Sequence, residues 1–132
     1  MFVLAFTSQV FAEQNSIRNI YTPQNQMYFY NDVMSFSLVF DQDVVVSGQP
    51  TMTLNLDSGR VEAEYSSGSG TKTITLKYQI EAGDFDHDGI NILSQVNTSW
   101  GDIKSLDGSS VDLNLTPALR NVNLKSILVR GY

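Results

Sequence analysis

The sequence predicts an all-β fold in which two antiparallel sheets pack face to face as a sandwich. Three observations lead to this fold class. Apolar and polar residues alternate along several stretches, short glycine-containing turns separate them, and no comparable stretch has apolar residues at helical spacing. Strands with one buried face show this period of two, because successive side chains point to opposite sides of a sheet. We expect about seven to nine strands.

The alternating stretches occupy residues 33–40, 51–56, 60–65, 72–80 and 111–115. In each of them the apolar residues share one face, which is typical of a strand that lies over a core. The side chains predicted to be buried are Met34, Phe36, Leu38, Phe40, Leu54, Leu56, Ile74, Leu76 and Tyr78.

Two turns connect three of these stretches into an antiparallel meander over residues 51–80. The tripeptide DSG at 57–59 is typical of a tight hairpin, and SSGSG at 66–70 joins the next two strands. Glycine supplies the positive φ that such turns need. Weaker strand signals lie at 16–21 and 124–130.

The composition is that of one acidic globular domain. The chain has 132 residues, of which 42% are hydrophobic, and 14 Asp and Glu oppose 8 Lys and Arg. A net charge of −6 argues against nucleic acid as a partner, since binding a phosphate backbone needs a basic surface. The absence of cysteine excludes disulfides, thiolate metal sites and cysteine nucleophiles.

Residues 1–12, MFVLAFTSQVFA, are interpreted as a truncated signal peptide. An apolar run is followed by Val10 and Ala12 at the spacing of a cleavage site for small residues, so the mature chain is expected to begin at Glu13. The alternative is an apolar N-terminal strand that belongs to the fold. The run is too short to span a bilayer, which takes about 20 apolar residues. Residues 13–132 are predicted to form a single domain.

The stretch GDFDHDGI contains the strongest candidate for a metal site. Asp84, Asp86 and Asp88 occupy positions 1, 3 and 5 of an EF-hand-like loop, Gly89 occupies position 6, and the carbonyl of Ile90 would be the next ligand. Position 12 is not the bidentate glutamate, and strands rather than helices flank the loop, so it is not an EF-hand. We predict a calcium site of low affinity, the alternative being a turn whose carboxylates cap backbone amides.

We assign no catalytic role to the other polar residues, and no enzymatic activity is expected. His87, the single histidine, lies in the same acidic loop and is predicted to be solvated. Glu62 and Glu64 fall on the outward face of a strand, which predicts a solvated face. Asp41 and Asp43 flank a turn, where we expect them to cap backbone amides.

Four aromatic residues are candidates for a carbohydrate platform, because flat rings pack on the apolar faces of sugars. They are Tyr28, Phe29, Tyr30 and Trp100, and an exposed, coplanar pair among Tyr28, Tyr30 and Trp100 would favour this function. In the competing interpretation, the MYFY stretch starts a strand whose alternate rings point into the core. This interpretation also buries Trp100 at one end of the sandwich, and this burial is what we expect.

The sequence resembles the immunoglobulin-like repeats of large bacterial surface adhesins. VMSFSLVFDQDVVVSGQPTMTLNL is similar to the opening half of such a repeat, AEYSSGSGTKTITLKYQIEAGDFDHDGINI to its next segment, and GDIKSLDGSSVDLNL to its later G-x-I-K stretch. The similarity runs from about Ser16 to Val129. It implies an immunoglobulin-like β-sandwich at a cell surface or in an extracellular structure, without enzymatic activity.

Two functions from different classes follow as expectations. The first is a secreted or cell-surface structural or adhesive module, whose partners are other protein subunits or components of a cell surface or matrix. Such a module could assemble into homo-oligomers or filaments by strand addition, since a free sheet edge and an apolar N-terminal segment favour this mode. The alternative is a carbohydrate-binding module that uses the aromatic platform.

Overall fold

The computed structural model describes residues 14–132 of the chain. The interpretation of residues 1–12 as a signal peptide or an apolar strand lies outside these described residues. The elements follow in the order β1 (Asn15–Tyr21), β2 (Met27–Phe29), β3 (Val33–Phe40), β4 (Val44–Gly48), β5 (Thr51–Leu56), β6 (Gly59–Ser67), β7 (Thr73–Gln79), β8 (Phe85–Asp86), β9 (Asn91–Asn97), β10 (Gly101–Ser105), β11 (Val111–Asp112), α1 (Thr116–Leu119) and β12 (Leu128–Arg130). The all-β class is confirmed. Within residues 14–132, no helix has the length and apolar character needed to cross a membrane.

One curled sheet of seven strands dominates the fold, in the order β11-β1-β3-β7-β6-β5-β9. Its centre contains the predicted meander, because β5, β6 and β7 pair in antiparallel succession. The register shifts in the pairings of β1 with β3, of β5 with β9 and of β6 with β7. Such irregularities increase the twist of a sheet and bend it, which accounts for the curl.

A short segment, residues 111–115, touches both edges of this curled sheet. Val111 pairs in parallel with the first residue of β1, and Asn114 forms a bridge to β9 at the opposite edge. The amide of Leu115 also donates to the carbonyl of Ser94 in β9 over 2.7 Å. The segment therefore brings the two edges of the sheet together around the core.

Two smaller sheets complete the enclosure of the core. The ribbon of β10 and β4 is antiparallel and contributes the buried side chains of Val44 and Ile103. The other sheet has the order β2-β12-β8, with β12 parallel to β2 and antiparallel to β8. Its inward side chains include those of Tyr28 and Val129, which are also buried.

The nine apolar side chains that the alternation placed in the core are all buried. The sheet arrangement differs from the prediction, because one curled sheet and two small sheets replace two plainly separate facing sheets. Within residues 14–132, two strand pairs are parallel, and twelve strands form where seven to nine were expected. Bulges and strands of two or three residues account for these differences, and neither gives an alternating pattern long enough to recognise.

Two predicted strands are shorter than expected. The stretch 124–130 is a strand only at 128–130, and 111–115 only at 111–112. Beyond Asp112 the chain leaves β1 and pairs with β9 instead, so a single long strand does not form, although Leu115 is fully buried.

Candidate metal centre

The candidate site is built from two loops that dock side by side. In the β5–β6 hairpin, Leu56 pairs with Gly59, which leaves Asp57 and Ser58 as a two-residue turn. Ser58 then holds this turn against β8. Its amide donates to the carbonyl of Phe85 over 3.1 Å, and its hydroxyl accepts from the amide of Phe85 over 2.9 Å.

Three carboxylates converge where the two loops meet. Asp57, Asp86 and Asp88 each offer an oxygen, and these ligand atoms all lie within 4.8 Å of one another. Asp86 is 2% exposed, whereas Asp57 and Asp88 are exposed to solvent. Carboxylate oxygens are hard ligands of the kind that divalent cations such as calcium prefer, so the cluster could hold a metal ion.

Backbone amides fix two of these carboxylates. Asp57 donates its amide to Oδ2 of Asp86 over 3.0 Å, and its own Oδ2 accepts from the amide of His87 over 2.9 Å. Oδ1 of Asp86 accepts from the amide of Asp88 over 3.3 Å. The carboxylates are therefore held in place by the two loops themselves.

The electrostatics of Asp86 are unfavourable for its charged form. Burial raises the pKa of its carboxyl above the ordinary value, and the charge of Asp57 raises it further. Hydrogen bonds from the amides of Asp57, Gly89 and Asp88 act in the opposite direction and do not cancel the increase. A cation between the carboxylates would relieve this repulsion.

Gly89 holds the second loop close to the segment that precedes β12. Its φ is +104°, and a Cβ at this position would lie 2.5 Å from Cα of Lys125 and 2.6 Å from the carbonyl oxygen of Leu124. The next residue, Ile90, donates its amide to the carbonyl of Ile127 over 3.1 Å. This close backbone approach positions Asp88 relative to the rest of the cluster.

The structure brings together two of the three predicted aspartates. Asp86 and Asp88 lie in the cluster, but Asp84 accepts from the hydroxyl of Tyr78 over 2.5 Å and from the amide of Glu81 over 2.9 Å. Asp84 therefore caps its own turn. Burial, followed by the hydrogen bond and the charge of Asp84, raises the pKa of Tyr78.

Asp57 takes the third place in the cluster, and sequence reasoning missed it. It stands 29 residues before Asp86, in a turn that was interpreted only as a hairpin. The signal is an acidic residue in a tight turn, but its meaning depends on the docking of that turn against β8. The side chain of Ile90 lies in the core, and its carbonyl as a ligand stays a prediction.

The predicted aromatic platform does not form one surface. Tyr28 is buried, and its hydroxyl donates to the carbonyl of Gln24 over 2.8 Å, whereas Tyr30 is exposed. The predicted burial of Trp100 is wrong, because its side chain is 77% exposed. Its backbone packs against Gly48 while its ring points away from the core. Trp100 lies between β9 and β10, whereas Tyr30 lies in the turn between β2 and β3.

Two of the other predicted polar roles need correction. Glu62 is half-buried rather than solvated, and its carboxylate accepts from the hydroxyls of Thr51 and Thr53. Asp41 does not cap a turn amide, because its carboxylate accepts from Oγ of Ser16 and Nε of Arg18 and so clamps β1 to the end of β3.

His87 and Glu64 are exposed, as predicted. The imidazole of His87 lies against the ring of Phe85, with 5.2 Å between ring centroids. Asp43 forms a backbone hydrogen bond, in which its carbonyl accepts from the amide of Leu106 over 3.3 Å.

Comparison with protein-family models, with curated proteins and with solved structures finds no match to the chain.

Proposed function

We propose that the chain is a structural or adhesive module that works outside the cell and is stabilised by calcium at the Asp57, Asp86 and Asp88 cluster. The observation that carries this proposal is the convergence of the three carboxylates from two separate loops. A cation there would join the β5–β6 hairpin to the β8–β9 loop. The module would act through contacts with other subunits, a cell surface or a matrix.

The donor set suits calcium. Calcium takes six to eight oxygen ligands in flexible geometry, and water can complete a shell that the protein supplies only in part. Asp57 and Asp88 are exposed, so solvent reaches the cluster. A site with few protein ligands would have an affinity of about 10⁻⁴–10⁻³ M, as extracellular modules do.

The pairing of the first and last strands places them at opposite ends of β3. β1 begins beside the end of β3, where Ile17 pairs with Phe40. β12 instead pairs with β2, which a short turn connects to the start of β3. The alternating strands, the central meander and the similarity to adhesin repeats support an immunoglobulin-like relationship.

Assembly by strand addition would require a covering segment to leave. The segment 111–115 covers part of β9, and the loop after β6 covers β4 through bonds such as that from the amide of Val44 to the carbonyl of Thr71. Ser58 covers β8 in the same way. These contacts protect edges that would otherwise pair with other chains.

A calcium titration tests the proposal. At about five millimolar calcium, an affinity in this range predicts a gain of about 1–2 kcal/mol over excess chelator. Asp88→Asn and the double variant Asp57→Asn/Asp88→Asn should lose this gain while remaining folded. Glu64→Gln removes one exposed carboxylate from a sheet face away from the cluster and should keep it. An unchanged melting temperature of the wild type would refute the calcium site.

A further inference from the structure

The sheet β2-β12-β8 has an apolar inner face and an unusual outer face. Strand register places Phe29 beside Arg130, and Arg130 beside Phe85. Register partners share a face, and the neighbouring row of Tyr28, Val129 and Asp86 is buried. Phe29, Arg130 and Phe85 therefore form a row across the outer face, with the guanidinium in the middle.

Two further rings extend this row along the strands. The ring of Tyr132 lies 5.5 Å from Cζ of Arg130, and the imidazole of His87 lies 5.2 Å from the ring of Phe85. Phe29 is 48% exposed and Tyr132 is 71% exposed, so the rings are open to solvent. We call these five side chains, Phe29, Phe85, His87, Arg130 and Tyr132, the aromatic–arginine strip.

The guanidinium of Arg130 is available to an anion. Within residues 14–132 the ion pairs within 4.0 Å join Arg18 to Asp41 and Lys104 to Asp102, and none involves Arg130. A planar guanidinium binds a carboxylate through two parallel hydrogen bonds, and aromatic rings beside it limit its hydration. A ligand that matches the strip therefore carries a carboxylate beside an apolar surface of its own.

The edges of this sheet disfavour a peptide that adds as a strand. On the β2 side, the amide of Phe29 donates to Oδ2 of Asp32 over 2.8 Å. On the β8 side, the amide of Ser58 donates to the carbonyl of Phe85 over 3.1 Å. Because both edges are occupied, a ligand must bind through the side chains of the face, and flat exposed rings favour a ligand with flat apolar faces.

We propose that the aromatic–arginine strip binds a carboxylate-bearing saccharide. The rings of Phe29 and Tyr132 pack on the apolar faces of the sugar rings, and Arg130 binds the carboxylate. The distance from Phe29 to Phe85 is two strand spacings, about 10 Å, which gives room for a short oligosaccharide. The inference names a ligand class for the proposed adhesive function and rests on it in that respect. His87 lies between the cluster residues Asp86 and Asp88, but the contacts proposed for Arg130, Phe29 and Tyr132 need no cation.

The test is a calorimetric titration with oligogalacturonate in excess chelator, so that the calcium proposal does not affect the result. The matched ligand is the fully methyl-esterified oligomer, which keeps the sugar rings and lacks the charge. We expect binding of the acid and at least about tenfold weaker binding of the ester, as a charge-assisted bidentate contact predicts. Sedimentation of the protein alone should show a monomer.

Variants locate the site. Arg130→Gln should weaken binding at least about tenfold, Arg130→Lys should retain part of it, and Phe29→Ala should weaken it severalfold. Tyr30→Ala and Trp100→Ala remove exposed rings outside the strip and should bind as the wild type does. All four positions are exposed, and melting curves establish that the variants are folded.

Several results would overturn the proposal. They are equal affinity for acid and ester, no binding of the acid by the wild type, or a loss in the Trp100 variant that matches the loss in the Arg130 variant. Equally tight binding of a hexaglutamate peptide would assign the strip to acidic peptides instead. Self-association lost in Arg130→Gln would make the strip an interface between copies of the chain. If calcium fails to stabilise the protein but the acid binds, the strip stands and only the cation site is rejected.

Discussion

The backbone amide of Asp57 donates to Oδ2 of Asp86 over 3.0 Å, although the two carboxylates repel each other. The same contact therefore ties the β5–β6 hairpin to β8 and concentrates negative charge beside a residue that is 2% exposed. Stability at this place depends on which charge state Asp86 adopts and on whether a cation is present.

We expect the contribution of Asp86 to stability to fall as the pH rises in the absence of calcium. Burial and the charge of Asp57 raise its folded-state pKa, whereas the unfolded chain titrates near the ordinary value of about 3.9. The contribution is complete below that ordinary value and is lost as the pH rises through the raised one. The measurement is the free energy of unfolding from pH 4 to 7 in chelator, for the wild type and Asp86→Asn.

The difference between these two proteins isolates Asp86 from carboxyls whose pKa values are lowered, such as those of Asp41 and Asp107. The wild type should lose stability relative to Asp86→Asn toward neutral pH. Saturating calcium should reverse this trend, because it binds the ionised form. A difference that does not change with pH would contradict the raised pKa.

Gly89→Ala should destabilise the protein much more than Gly83→Ala. Both glycines have positive φ, +104° and +94°, but only Gly89 lacks room for a Cβ. Backbone strain alone costs about 1–3 kcal/mol, so we expect about 1–2 for Gly83→Ala and 3 or more for Gly89→Ala. Denaturant unfolding measures both values, and similar losses would show that the contact with Lys125 is not tight.

The alternating pattern predicted most of the central sheet but not its closure. Apolar residues such as Leu54 and Leu76 recur at every second position of their strands. This spacing is a property of the local sequence, so the sequence alone predicts which face lies over the core. The bridge from Asn114 to β9 depends instead on a change of partner strand within a few residues. No local pattern records such a change.

The candidate site was predictable only where its residues are close in sequence. Asp86 and Asp88 lie in one loop, and their spacing indicated the cluster. Asp57 joins them through a hairpin docked on β8, and Asp84 is diverted to the hydroxyl of Tyr78. Trp100 is expected to be buried at one end of the sandwich, but its side chain is 77% exposed.

Tyr78→Phe should destabilise the fold by about 1–3 kcal/mol, because the hydroxyl donates to the Asp84 carboxylate over 2.5 Å and Tyr78 is buried. Tyr30→Phe removes an exposed hydroxyl and should change stability by less than about 0.5 kcal/mol. The measurement is urea unfolding at pH 7. Equal effects of the two substitutions would mean that the Asp84 contact contributes nothing beyond a surface hydroxyl.

Leu115→Ala should test whether the segment 111–115 holds the curled sheet closed. The side chain of Leu115 is fully buried, and its amide bonds to the carbonyl of Ser94 over 2.7 Å. Loss of a buried leucine costs about 2–5 kcal/mol, whereas Leu106→Ala, at a position 64% exposed, should cost less than about 0.5. Hydrogen exchange should then show faster exchange at the amides of Val96 and Leu115, because both pair across this junction.

If the segment 111–115 also protects the edge of β9, Leu115→Ala should self-associate at concentrations where Leu106→Ala stays monomeric. An uncovered strand edge pairs with other chains. A stable, monomeric Leu115→Ala with unchanged exchange would show that the sheet stays closed without this side chain.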